Sequence, residues 1–109
     1  MPDTPTSAKG YWIARLNVED DAAYGRYRAL NSIAFAKFGG RFLVRGGPYL
    51  LAKGHGRQHN VVIEFPSGEA ARACYHSPEY QAALKELVDA GPTDMIVIDG
   101  YAGQQPGEA

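Results

Sequence analysis

Apolar side chains recur at every second position from Tyr11 to Val18 and from Asn60 to Phe65, but at spacings of three and four between Glu19 and Phe38. The first period belongs to strands, the second to helices. A strand is therefore predicted over 11–18. The acidic Glu19-Asp20-Asp21 that follows suits a helix amino terminus through capping and the macrodipole. That helix runs to Phe38 with Tyr24, Tyr27, Asn31, Ala34, Phe35 and Phe38 on one stripe, and Gly39 supplies a left-handed stop. Arg41 to Val44 reads as a second strand, bent by Gly46-Gly47-Pro48 and resumed at Tyr49-Leu50-Leu51. Lys53 to His59 reads as a polar hairpin loop, and Asn60 to Phe65 as a third strand. Ser67 caps a short helix to His76. Ser77 and Pro78 then open another, carrying Tyr80, Ala83, Leu84, Leu87 and Val88. Gly91-Pro92 ends it, and Asp94 to Tyr101 forms the last strand.

The order strand, helix, strand, strand, helix, strand is the split βαβ arrangement of the α+β, ferredoxin-like class, with one antiparallel sheet ordered 4-1-3-2. Its helices cover one face only. Both faces are nonetheless apolar, with Trp12, Ala14, Leu16, Val18, Val61, Ile63 and Phe65 on one parity and Tyr11, Ile13, Leu43 and Val62 on the other. A second copy packing sheet to sheet would cover the bare face, which points to a homodimer of the dimeric α+β barrel type.

Length and charge narrow the class further. At 109 residues the chain makes one domain, expected over 10–102 between tails at 1–9 and 103–109 whose Pro, Ser, Gly and Gln content cannot offset ordering entropy. A net charge of −1 without basic runs leaves no footprint for nucleic acid or an anionic membrane surface. The apolar stretches are strand-sized, the amino terminus lacks a leader pattern, and the lone Cys74 forms no internal disulfide. These features lead us to expect a cytoplasmic protein.

Candidate chemistry is sparse. Strand parity and strand order together place Arg15, Glu64 and Arg45 on one face, with the carboxylate's strand between those of the guanidiniums. Two guanidiniums around one carboxylate retain donors for an anionic ligand, although the commoner use of such a ladder is to fix register or a dimer interface. Asn31 is the polar member of an aromatic stripe. With Tyr24, Tyr27 and Tyr75 it could orient a small ligand between helices and sheet, or it could simply bond a strand carbonyl. The His55-x-x-x-His59 spacing falls in a glycine-bearing loop, so no metal is expected, and His76 reads as a helix-terminal cation. Cys74 reads as a small buried hydrophobe. The two Gly-Gly pairs lack a nucleotide fingerprint, and no cofactor is expected.

Four short motifs, Gly39-Gly40-Arg41-Phe42, Arg45-Gly46-Gly47, Glu64-Phe65-Pro66 and Ser77-Pro78-Glu79-Tyr80, together with their spacing, closely resemble the family called domain of unknown function 1330. The resemblance extends from Lys9 to about Gly103. It implies a dimeric α+β barrel similar in architecture to cofactor-independent monooxygenases, muconolactone isomerase-like enzymes and stress-responsive barrel proteins, and it implies no established activity. Two functions are consistent with these residues: an enzyme or binder acting on an aromatic or anionic metabolite, or a noncatalytic dimeric module of structural or stress-related type.

Overall fold

A computed structural model describes residues 8–108. In chain order the elements are β1 (Gly10–Leu16), α1 (Asp21–Lys37), β2 (Arg41–Arg45), β3 (His59–Phe65), α2 (Gly68–His76), α3 (Pro78–Ala90) and β4 (Thr93–Asp99). The strands form one antiparallel sheet in the order β2-β3-β1-β4, the arrangement that defines the ferredoxin-like α+β fold.

Each helix begins where a side chain satisfies its free amides. The Asp20 carboxylate accepts from the Ala23 amide, Ser67 from Ala70, and Ser77 from Tyr80 with Pro78 in the first turn. Gly39 takes φ 77° after α1, a conformation that releases the chain into β2. The helices cover the face formed by the even positions of β1 and the odd positions of β3 and β4, where Trp12, Leu16, Ile63 and Phe65 are buried. Trp12 is the centre of this core. Its ring meets Phe35 and Tyr80 edge-on at 5.1 and 4.6 Å, and its indole N–H donates to the Ala71 carbonyl of α2 at 2.8 Å. α1 lies along α3, joined to it by the Arg26–Glu86 and Lys37–Glu79 ion pairs and by the buried hydroxyl contact of Tyr27 with Tyr80.

Several boundaries differ from expectation. β1 stops at Leu16 because the next backbone groups are used elsewhere: Asn17 donates to the Pro92 carbonyl, Val18 to the Gln58 side chain and Glu19 to the Ala90 carbonyl. β4 begins at Thr93 and ends at Asp99, where Gly100 donates to the Lys9 carbonyl. Tyr49-Leu50-Leu51 does not resume β2. The segment is irregular and exposed, and its anchor is the Tyr49 hydroxyl on the Arg57 carbonyl at 2.8 Å. His59, expected in the loop, is the first residue of β3. The amino-terminal tail expected over 1–9 lies outside the described residues except for Ala8 and Lys9. At the other end, Tyr101 bonds the Gln104 carbonyl and Glu108 the Gln105 carbonyl.

Candidate functional site

The pairing of β2 with β3 decides where the charged side chains go. Arg41 faces Glu64 and Phe42 faces Ile63, but Val44 faces Val62 and Arg45 faces Val61, so Leu43 is an unpaired extra residue. A bulge of this kind reverses the parity of everything after it. Arg45 consequently lies on the helix-covered side with Phe42, its guanidinium 4.4 Å from that ring, while Glu64 remains on the open side.

The expected Arg15, Glu64, Arg45 cluster is therefore not formed. Glu64 accepts from the Tyr11 hydroxyl at 2.9 Å and has Arg41 at 3.9 Å. Hydrogen bonding to that carboxylate raises the Tyr11 phenol above its ordinary pKa, aided by desolvation. Arg15 pairs instead with its neighbour across β4, Asp94, at 3.8 Å, and Asp94 is held more closely by Arg57 at 2.9 Å. The parity of Arg15 and Glu64 was legible, but the bulge that diverts Arg45 carries no glycine or proline to announce it.

Three of the other candidates come together. A cavity of about 50 Å³ between α1 and the sheet is lined by Tyr24, Tyr27, Asn31 and Arg28 from α1, Phe42 and Arg45 from β2, and Trp12, Ile63 and Met95 from the sheet floor. Asn31 is buried among aromatic rings one turn after Tyr27. Burial pushes the Tyr27 phenol up, and its hydrogen bonds with Tyr80 and Asn31 partly offset this. Tyr80 is raised as well, by desolvation and then by Tyr27. Both phenols stay protonated at neutral pH and can act as hydrogen-bond donors.

Guanidiniums mark the cavity's outer side. Arg28 lies over the Tyr24 ring at 5.9 Å and Arg45 over Phe42, and among the described residues neither has a carboxylate within ion-pair distance. His59, on the same side of the sheet, stacks on Tyr24 with 5.7 Å between centroids. Sequence reading missed Arg28, although its position four residues after Tyr24 and three before Asn31 places it on the flank of that stripe. Tyr75, expected beside Tyr24 and Tyr27, lines a separate groove between α3 and β4. Cys74 is fully buried, and desolvation pushes its thiol up to about 12, which leaves no thiolate for nucleophilic work near neutral pH. Among the described residues no three metal-ligating side chains come together, and no helix is long and apolar enough to cross a membrane.

Solved structures share this architecture. A protein of unknown function from Rhodopseudomonas palustris is 19% identical, with a TM-score of 0.67 over 90% of this chain and 86% of its own. SnoaB, a cofactor-independent oxygenase from Streptomyces nogalater, is 17% identical, with a TM-score of 0.60 over 94% and 100% of the two chains. A dimeric ferredoxin-like protein of unknown function from Jannaschia sp. CCS1 is 17% identical, with a TM-score of 0.59 over 86% and 99%. At these identities the likeness is one of fold. No curated protein matches the chain. The model of the family described as Domain of unknown function (DUF1330) matches residues 9–101, spanning every strand and helix described above, and the chain belongs to that family.

Proposed function

We propose that the protein is a homodimer that binds a small ring-bearing anion in the cavity beneath α1, the ring among the aromatic walls and the anion on Arg45 and Arg28. The observation that carries this reading is the pair of guanidiniums, free of carboxylate partners among the described residues, beside a buried Asn31 and the protonated phenol of Tyr27. A guanidinium presents a planar fork matched to a carboxylate, while Asn31 and Tyr27 can donate to or orient a polar substituent on the ring. If chemistry follows binding, these groups supply hydrogen bonds to an oxygen that gains charge. The SnoaB likeness supports this only as an analogy of fold.

A cavity of about 50 Å³ is smaller than the roughly 150 Å³ space that admits benzene in a protein core, so an entering ring must displace a side chain. Met95, half-buried on the floor and unbranched, is suited to move. The same small volume favours a second reading, a noncatalytic dimeric module. Calorimetric titration separates the two. Benzoate should bind and benzyl alcohol, its uncharged counterpart, should not, and Arg45→Met should weaken benzoate at least about tenfold, as expected for a lost charged hydrogen bond. Equal affinity for the two compounds, or none for either, would leave the module reading standing.

A further inference from the structure

The groove that holds Tyr75 has a volume of about 390 Å³, and its wall includes Leu84, Val88 and Val97 together with Leu87, Thr93 and Met95. Those last three residues also line the cavity beneath α1. Cavity and groove are thus two sides of one partition a single side chain thick, built from α3 and the edge strand β4. Leu87 is buried, Thr93 and Met95 are half-buried, and the Met95 sulfur meets the Tyr80 hydroxyl in a long contact at 3.8 Å. The charged groups stand at one end, on α1 and β2. The groove at the other end is lined chiefly by apolar side chains, Leu84, Leu87, Val88, Met95 and Val97 among them. It is also much the larger space, whereas the cavity beside the arginines cannot hold more than a small head.

We infer that cavity and groove form one elongated site that opens when Met95 moves, and that its ligand is an amphipathic anion: a ring-bearing head on Arg28 and Arg45, an apolar tail in the groove along Leu84 and Val88. This deepens the proposed function and rests on it. Thr93 provides a hydroxyl where head meets tail, at present bonded to the Gly91 carbonyl at 3.2 Å. Val88, 75% exposed on α3, is a large apolar side chain that a seated tail would shield from water.

A series from benzoate to 4-octylbenzoate, titrated calorimetrically into the full chain, tests this. Affinity should rise about three- to fourfold for each methylene added, the gain expected from burying one such group, until the groove is filled. Val88→Glu, at a position exposed enough to tolerate the charge, should flatten the rise and leave benzoate binding unchanged. Leu84→Gln should act likewise at a more enclosed point. An affinity independent of tail length, with benzoate still bound, overturns the elongated site and spares the cavity reading. A rise that neither groove variant alters also overturns it. Failure of every member to bind overturns both.

Discussion

Cys74 illustrates how burial, aided by the nearby Glu79 charge, sets a side chain's chemistry. Its thiol, pushed up to about 12 by desolvation, ionises far more readily in the unfolded chain, where it titrates near its ordinary 9.0. A raised pKa stabilises the fold fully below the unfolded value, and this contribution is lost as pH climbs through the folded one. The buried Tyr27 and Tyr80 phenols, also raised, act in the same direction at higher pH. Stability measured by denaturant should therefore hold steady from pH 7 to 8.5 and fall between about 9 and 12. Cys74→Ala should reduce the slope over the lower part of that window; an unchanged slope would show that the thiol is not desolvated. Glu64 makes the complementary point. Its partners are Tyr11 and a distant, largely exposed Arg41, so Glu64→Gln should cost on the order of 1 kcal/mol and show no coupling to Arg45→Met in a double-mutant cycle. Coupling above about 0.5 kcal/mol would restore the face-sharing that strand parity alone predicts.

At the level of elements, helices were the most legible because their signals are local. Ser67, Ser77 with Pro78, and Gly39 each mark a terminus by their own backbone chemistry, and the α1 stripe through Tyr27, Asn31, Ala34 and Phe35 is buried as its spacing predicts. Strand ends were less legible. Whether Asn17 and Val18 extend β1 depends on Pro92 and Gln58, the nearer of these bonds spanning 40 positions in sequence, and no local pattern reports such partners. The β2 bulge is a further example. Nothing in Phe42-Leu43-Val44 distinguishes a regular strand from one with an extra residue, yet this single slip moves Arg45 from the open face to the cavity. Ser77 joins two helices, its hydroxyl donating to the Cys74 carbonyl at 2.7 Å and accepting from the Tyr80 amide at 3.1 Å. Ser77→Ala should destabilise the protein by about 1–2 kcal/mol in chemical denaturation. A loss below a few tenths would mean that Pro78 alone sets the start of α3.

For the molecule as a whole, the open sheet face is an apolar surface that no helix covers among the described residues. Ile13, Val44, Ile96 and Ile98 lie on it at 38%, 43%, 52% and 46% exposure, rimmed by the Tyr11–Glu64 and Arg15–Asp94 pairs. An apolar face of this kind is seldom left to water. Light scattering at micromolar concentration should give twice the chain mass, and Ile96→Glu, at a position that a monomer would tolerate, should give a folded monomer. A wild-type monomer would remove the sheet-to-sheet dimer.

Trp12, the chain's single tryptophan, forms part of the cavity floor and so reports on its occupancy. Titration with 4-iodobenzoate, whose heavy atom quenches indole emission at close range, should give saturable quenching of Trp12 that Arg45→Met and Arg28→Met each weaken. Heat of binding without a change in Trp12 emission, or quenching indifferent to both arginines, would place the ligand outside the cavity.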